Sequence, residues 1–228
     1  MKKHLVILTG AGISAESGLK TFRDSDGLWE GYNVEDVATP QGFAANPQLV
    51  LDFYNSRRKD VAAAQPNAAH KGIAALEKHF NVTIITQNID DLHERGGSKN
   101  VLHLHGEIFK MRSVYNTDRI FDCSSDINVG DKAKDGGQLR PHIVWFNEAV
   151  PMLETAIGIV ETAAIFVVIG TSLQVYPAAS LINYAPPYCA KFIVDKKIPV
   201  TNIYNLTTIE APATIGVETL KEKLMALK

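Results

Sequence analysis

The chain has 228 residues, and its 23 Lys and Arg against 25 Asp and Glu give a formal net charge of −2. This length fits one large domain, or one domain with a small insertion. The balanced charge gives no reason to expect nucleic-acid binding. No apolar run is long enough to span a bilayer and no secretory leader is evident, so we expect a cytoplasmic protein with neither membrane nor nucleic acid as partner.

The chain contains two cysteines, Cys123 and Cys189, which lie far apart in the sequence. In a cytosolic protein such cysteines are expected to be free thiols, with a single disulfide as the alternative. Two thiolates cannot make a four-cysteine zinc site.

An apolar strand that leads into a glycine-rich loop is the first chemical signal. The predicted strand 5–9, apolar except for Thr9, leads into the loop 10–18, which has a G-x-G-x-x-A pattern. The glycines let the backbone turn tightly and approach a pyrophosphate, and a following helix would offer its free N–H groups. The loop predicts an anion or dinucleotide site, although this pattern alone does not identify the cofactor.

Short apolar runs alternate with helical patterns along the rest of the chain. This alternation predicts an α/β fold with a Rossmann-like, doubly wound parallel sheet. The predicted strands are 5–9, 82–86, 101–105, 165–169 and 192–194, with 203–204 as a short edge strand. Helices are predicted after the glycine loop, at 49–58, from about 67, at 152–163, after residue 177 and from about 214.

Two stretches, 29–62 and 108–140, do not follow this rhythm and predict a small inserted lobe. The remaining segments, 1–28, 63–107 and 141–228, would form the Rossmann-like dinucleotide-binding domain. A cleft between the two parts would then lie over the carboxyl ends of the strands, where open α/β sheets bind ligands.

The pattern of acidic residues differs from that of a dehydrogenase. A dehydrogenase of this fold has an acidic residue at the end of its second strand, about 20 residues after the loop. Here the second strand ends far from the loop, and Asp24 and Asp26 lie in a predicted loop instead. Polar groups lie at the ends of the second, third and fourth predicted strands. Gln87, Asn88 and Asp90 follow the second strand, His105 ends the third, and the segment 170–172 follows the fourth.

These motifs, in this order, resemble the sirtuin family of NAD-dependent protein deacylases over nearly the whole chain. The matching segments are 10–14, 17–23, 86–90, 105–106, 139–148 and 170–173. The resemblance implies that NAD is consumed as a co-substrate. It implies NAD contacts from Gly10, Ala11, Gly12, Glu16, Phe22, Arg23, Trp29, Gln87, Asn88, Ile89, Asp90, Gly170, Thr171, Ser172 and Ala213.

The resemblance also implies three catalytic residues. His105 would be the general base, while Asn88 and Asp90 would belong to the pocket for the nicotinamide ring and its ribose. Alternation along the strand directs His103 to the same side as His105, and we expect His103 to support the site. The other histidines, His4, His70, His79, His93 and His142, have no metal-binding spacing and are expected to be surface or capping groups.

The implied substrates are acylated lysine side chains of proteins, docked by the segment that contains Val144 and Phe146. Core packing is the alternative for residues 145–146. Tyr54 and Arg57 resemble the pair found in bacterial-type sirtuins that remove succinyl and malonyl groups as well as acetyl groups. Positions three apart share a helix face, and an arginine fork grips a carboxylate with two bonds. A solvated helix face is the alternative for this pair.

The chain departs from the family at its zinc site. Most sirtuins have two Cys-x-x-Cys pairs, and this chain has none at the corresponding segments, 113–116 and 132–137. We therefore expect no zinc. The lobe would rest instead on a small core of Val114, Tyr115, Ile120, Phe121 and Ile127.

Two other functions remain open at this point. The same site would suit a mono-ADP-ribosyltransferase or NAD glycohydrolase, and a non-catalytic sensor of NAD or ADP-ribose is a third class. The Tyr54/Arg57 pair, together with the implied peptide-docking segment 144–146, argues against the transferase or glycohydrolase. Intact His105, Asn88 and Asp90 argue against the sensor. Nothing in the sequence fixes the oligomeric state, so a monomer is the simplest expectation.

Overall fold

A computed structural model of the protein describes residues 2–20, 28–198 and 202–228. The strands are β1 (His4–Thr9), β2 (Leu28–Trp29), β3 (Tyr32–Asn33), β4 (Asn81–Thr86), β5 (Val101–His103), β6 (Gly106–Ser113), β7 (Ile120–Asp122), β8 (Leu139–Ile143), β9 (Ile165–Ile169), β10 (Ala190–Asp195) and β11 (Leu206–Glu210). The α-helices are α1 (Val34–Val37), α2 (Pro40–Ala45), α3 (Pro47–Ala63), α4 (Ala68–Ala75), α5 (Leu92–Arg95), α6 (Leu153–Glu161) and α7 (Ala213–Met225). None of these helices is long and apolar enough to cross a membrane.

The central sheet has six parallel strands in the order β11-β10-β9-β1-β4-β5. After β1, the chain adds β4 and β5 on one side of β1, and then β9, β10 and β11 on the other side. The direction in which strands are added therefore reverses between β1 and β9. In an open α/β sheet, a ligand crevice forms at such a switch point, outside the carboxyl ends of the strands. The predicted doubly wound fold is confirmed.

The unbroken apolar run of β1 follows from burial on both faces of the sheet. Leu5 and Ile7 pack in one core with α4 and α7, whereas Val6 and Leu8 pack in another with α6. All four side chains are fully buried. The strand ends that carry the polar motifs are therefore held by two hydrophobic layers.

A second, three-stranded sheet of order β7-β6-β8 lies beside α3. Buried side chains of α3 share a core with Ile108 of β6 and Ile143 of β8. Asn55 of α3 exchanges two hydrogen bonds with the backbone of Ile127, at 2.9 and 3.0 Å. The boundaries between a Rossmann-like domain and a small lobe stay a prediction.

Several predicted elements differ from the structure. The edge strand is Leu206–Glu210 rather than 203–204. Its backbone pairs with β10, but most of its side chains are half-buried or exposed, so no apolar run marks its position in the sequence. The glycine loop continues into two short 3-10 turns, Ala11–Ile13 and Ala15–Ser17, rather than directly into an α-helix. The segment after residue 177, Ala178–Tyr184, is likewise a 3-10 helix.

The predicted core of the small lobe is wrong for four of its five residues. Only Ile127 is buried, where it packs with Leu51 and Cys123. Ile120 and Phe121 lie on β7, which pairs with β6 alone, so their side chains stay partly exposed. Val114 and Tyr115 are exposed as well. Both cysteines are buried and free, as expected.

Candidate active site

A cleft opens between the carboxyl edge of the central sheet and the segments around α3 and β8. Its empty space, including the open mouth, is about 1310 Å³. Most of the predicted site residues line it together: Gly10, Ala11, Gly12, Trp29, Tyr54, Arg57, Gln87, Asn88, Ile89, Asp90, His105, Val144, Phe146, Gly170, Thr171 and Ser172. Phe22 and Arg23 lie outside the described residues.

The floor of the cleft is formed by the loops after β1 and β9. The N–H of Gly12 donates to the carbonyl of Gly170 at 2.8 Å, and a Cβ on Gly12 would lie 2.7 Å from the Gly170 Cα. Gly170 itself has a φ of +67°. The glycines at 12 and 170 are therefore needed for the close approach of the two loops, in addition to any approach to a ligand.

His105 lies just beyond the end of β5, facing the loop that follows β4. Its Nδ1 is 3.1 Å from the carbonyl oxygen of Gln87, which fixes Nδ1–H as the donor and leaves Nε2 as an acceptor. Burial lowers the pKa of His105, partly opposed by this hydrogen bond, so the imidazole is neutral at pH 7. Gly106, with a φ of +83°, makes the turn that follows.

His103 supports the same loop, as expected. Its Nδ1 lies 3.1 Å from the carbonyl of Asn88, and its Nε2 lies 2.8 Å from Glu94 Oε1. Burial lowers the pKa of His103, but the hydrogen bond and charge of Glu94 outweigh it and raise the pKa overall. The two histidines thus hold consecutive carbonyls of the loop.

Asp90 and Asn88 are connected through Ser14, which lies in the motif 10–14 but had no predicted role of its own. Ser14 Oγ donates to Asp90 Oδ2 at 3.0 Å and accepts from Asn88 Nδ2 at 3.1 Å. Asp90 Oδ1 also accepts from the N–H of Leu92 at 3.1 Å. Burial raises the pKa of Asp90, and these hydrogen bonds oppose the rise. The conformation of both side chains is therefore fixed before any ligand binds.

Two buried histidines lie behind this group. His70 caps α4 as expected, since its Nδ1 accepts from the N–H of Asn67, and its Nε2 lies 3.5 Å from Ser14 Oγ. The surface or capping prediction was wrong for His93, which is fully buried with Nε2 2.9 Å from Thr9 Oγ1. His93 lies on the four-residue helix α5, which is too short for a periodic pattern to reveal a buried face.

Gln87 offers an unused donor in the cleft. Its Nε2 is buried and has no hydrogen-bond partner among the described residues. A buried amide without a partner is costly, so this atom points to a ligand that would accept its hydrogen bond.

Tyr54 and Arg57 lie on the face of α3 that lines the cleft. Tyr54 is fully buried and its hydroxyl accepts a hydrogen bond from Trp145 Nε1 at 3.0 Å. Arg57 is 7% exposed; its Nη1 lies 2.7 Å from Glu30 Oε1, and its Nε is buried without a partner among the described residues. The alternative of a solvated helix face was therefore wrong.

In the segment after β8, Trp145 and Phe146 lie in different environments, which bears on whether they pack in the core or dock a peptide. Trp145 is 2% exposed, and the Arg140 guanidinium lies 3.2 Å from its ring centroid, so Trp145 packs in the core. Phe146 is 42% exposed at the cleft. The N–H of Val144 donates to the carbonyl of His105 at 2.9 Å, which places this segment directly beside the predicted base.

Glu16 and Ala213 do not line the cleft. The carboxylate of Glu16 accepts from the N–H of Thr214 at 3.0 Å and from its hydroxyl at 2.7 Å, which caps the start of α7. Ala213 is the first residue of that helix. A contact of either residue with NAD stays a prediction.

Among the described residues, no cluster of three or more His, Cys, Asp or Glu side chains is arranged to hold a metal ion. The absence of zinc stays a prediction.

Comparison with known proteins identifies the family. The Sir2 family profile matches residues 10–177. A Helicobacter pylori protein named NAD-dependent protein deacylase is 52% identical over 226 residues, covering 99% of each chain. A Bacteroides thetaiotaomicron protein of the same name is 51% identical over 230 residues, covering 98% of each. The crystal structure of a Sir2 homologue in complex with NAD has 40% identity and a TM-score of 0.87, covering 100% of this chain and 91% of that one.

The chain therefore belongs to the Sir2 family, the family of the sirtuins. The interpretation of its motifs is confirmed at this level, as is the Rossmann-like α/β fold shared with Sir2 structures.

Proposed function

We propose that this protein is an NAD-dependent protein-lysine deacylase that removes succinyl and malonyl groups as well as acetyl groups. The observation that carries the proposal is the position of Arg57, which is nine-tenths buried in the same cleft as His105 and has an Nε without a hydrogen-bond partner in the described part of the chain. The names of its relatives support NAD dependence and deacylation. The acyl preference is inferred from the charge of the pocket.

The cleft suits a dinucleotide at its sheet edge. The loops after β1 and β9 would hold the pyrophosphate with backbone N–H groups, and Gln87 Nε2 would find an acceptor there. When bound, NAD would supply an anomeric carbon that releases nicotinamide and accepts the acyl oxygen of the modified lysine. Asn88 and Asp90 would orient and stabilise the groups at that carbon.

His105 would act as general base through Nε2, because its Nδ1–H is committed to the carbonyl of Gln87. The lowered pKa keeps Nε2 free of a proton at neutral pH, ready to take one from a ribose hydroxyl. Phe146 and Val144 would hold the peptide beside it.

At the other end, Tyr54 and Arg57 would bind the carboxylate of a succinyl or malonyl group. Burial raises the pKa of Tyr54, so its hydroxyl keeps its proton. Because this oxygen accepts from Trp145, its own proton is free to be donated to an acyl carboxylate. The Nε–H of Arg57 would be a second donor.

Mass spectrometry of reactions with NAD and acetyl- or succinyl-lysine peptides separates the candidate functions. Free lysine with O-acyl-ADP-ribose supports the deacylase. Covalently labelled protein would support ADP-ribosyl transfer, and ADP-ribose alone would support NAD hydrolysis.

Substitution of Arg57 tests the acyl preference. We expect Arg57→Met to lower kcat/KM on a succinyl-lysine peptide by about 10²-fold, the effect of losing a charge-assisted pair of hydrogen bonds, and on an acetyl-lysine peptide much less. Lys59→Met, on an exposed part of the same helix, is the matched control. If both activities fell together in Arg57→Met, the assignment of the pocket would be wrong.

We further propose that the chain needs no structural zinc. At the positions of the family's cysteine pairs, Asp135 Oδ1 accepts from Ser113 Oγ at 2.8 Å and from the N–H of Gly137 at 2.9 Å. These bonds link the two segments that a metal ion joins in other sirtuins. A cytoplasmic location and a monomeric state remain expectations.

A further inference from the structure

The guanidinium of Arg57 already contacts a carboxylate of this chain. Arg57 Nη1 lies 2.7 Å from Glu30 Oε1, and Lys20 Nζ lies 3.0 Å from Glu30 Oε2. The Arg57 and Glu30 side chains are 8% and 18% exposed, whereas Lys20 is 69% exposed. Glu30 thus holds one edge of the arginine fork, while the Nε on the other side has no partner among the described residues.

The backbone at Glu30 does not favour a glutamate. Glu30 and Gly31 form the two-residue turn between β2 and β3, with φ angles of +53° and +85°. Turns with two positive φ angles favour Asn-Gly or Gly-Gly, and a longer side chain at the first position is strained. The turn geometry therefore gives no reason for a glutamate here, whereas the contact with Arg57 does.

The charges of this cluster balance with one acyl carboxylate. Lys20, Arg57 and Glu30 together carry one net positive charge. A neutral acetyl group would leave Glu30 paired with Arg57, so the buried guanidinium would not lose its counter-ion. A succinyl or malonyl group would have to share the guanidinium with Glu30, and the two like charges would repel each other.

We propose that Glu30 is a specificity-determining residue whose carboxylate competes with a charged acyl group for Arg57. The inference rests on the proposed function of Tyr54 and Arg57. In this arrangement Glu30 weakens the binding of succinyl- and malonyl-lysine and keeps the pocket suitable for acetyl-lysine. One cleft would in this way serve both charged and neutral acyl groups.

The experiment compares kcat and KM for acetyl-, malonyl- and succinyl-lysine peptides at saturating NAD. Glu30→Gln keeps the length of the side chain and an oxygen that accepts from Arg57, but removes the charge. We expect the KM for succinyl-lysine to fall about three- to tenfold, the size of one screened charge–charge contact, with a smaller change in kcat. The ratio of kcat/KM for succinyl over acetyl should rise by the same factor.

Two further variants complete the design. Glu30→Asn suits the turn and shortens the side chain, so it should give the same direction of change even if Glu30→Gln folds poorly. Glu35→Gln removes an equal charge from an exposed position on α1 and should leave the ratio unchanged.

The outcomes separate this inference from the function on which it rests. If the wild type removes succinyl groups but neither Glu30 variant lowers the KM, the role of Glu30 is overturned and the proposed function stands. If only the variants remove succinyl groups, Glu30 acts as proposed and the native acyl preference is overturned. If neither wild type nor variants remove succinyl groups, both proposals are overturned.

Discussion

The two ends of the cleft are built from different interactions. At the sheet end, Asn88, Asp90 and His105 are fixed by hydrogen bonds to backbone and neighbouring side chains. Burial is the main cause of the pKa shifts of Asp90 and His105. At the helix end, Arg57 and Glu30 face each other as formal charges. Under the proposed function, the sheet end would carry the chemistry common to every substrate, and the helix end would recognise the acyl group.

Two adjacent arginines on α3 show the same contrast at the scale of one residue. Arg58 donates from Nε to the carbonyl of Ile108 at 3.0 Å, and from Nη1 to Asn55 Oδ1 at 2.8 Å and the carbonyl of Ser125 at 3.2 Å. These bonds join α3 to β6 and to the loop that follows β7. Arg57, one residue earlier, faces the cleft and pairs with the carboxylate of Glu30 instead of with backbone carbonyls. Each of the two arginines has one buried N–H group without a partner among the described residues, so the contrast lies in what each guanidinium faces.

The strongest test of this contrast is removal of the proposed base, His105. We expect His105→Ala to lower kcat/KM by about 10²–10⁴-fold, the usual contribution of general base catalysis, and by the same factor on acetyl- and succinyl-lysine peptides. Initial rates on both peptides at saturating NAD measure this. His79→Ala, far from the cleft, should retain full activity. A loss that differed tenfold between the two peptides would contradict the assignment of catalysis to the sheet end and of acyl recognition to the helix end.

Substitution of Arg58 tests whether any buried arginine on α3, rather than Arg57 in particular, determines the acyl preference. We expect Arg58→Met to lower the free energy of unfolding by about 2–4 kcal/mol, because it leaves buried carbonyl acceptors unpaired, and to leave the succinyl-to-acetyl ratio unchanged. Urea unfolding and the two peptide assays measure these effects. Lys59→Met, which removes only an exposed ion pair with Asp126, should cost less than about 1 kcal/mol. A changed ratio in Arg58→Met would mean that the helix end is not specific to Arg57.

The residues of the sheet end could be predicted from the sequence, because parallel strands bring their carboxyl ends to one edge of the sheet. Gln87, Asn88 and His105 follow two strands whose apolar runs are easy to recognise, so their meeting could be predicted. Glu30 could not be assigned in this way, since its contact joins a turn to a helix residue 27 positions later. No local pattern encodes such a contact.

The same limit explains the other differences. The edge strand Leu206–Glu210 and the exposed strand β7 bury few side chains, so their apolar residues carry little information about the core. Ser14 as a partner of Asp90, and His70 as a partner of Ser14, were missed for a different reason. Their hydrogen bonds depend on how the glycine loop, α4 and the loop after β4 pack together.

The smallest expected effect is a loss of stability in acid through His70, which supports the side chains at the sheet end. Burial lowers the pKa of His70 to about 4, whereas an unfolded histidine protonates near pH 6.5. Between these values the unfolded state binds more protons, so this stability is fully present above pH 6.5 and is lost as the pH falls toward 4. A change from pH 8 to pH 5 should cost about 2 kcal/mol through His70 alone. His93, whose ring centroid lies 5.0 Å away and whose pKa is also lowered by burial, acts in the same direction.

The variant His70→Gln removes this titration while keeping a donor near Ser14. Its free energy of unfolding, measured in urea at pH 8 and pH 5, should therefore fall about 2 kcal/mol less than that of the wild type. A steeper loss in His70→Gln than in the wild type would contradict the linkage. Since the chain His70–Ser14–Asp90 belongs to the sheet end, acid that weakens it should lower activity on acetyl- and succinyl-lysine alike.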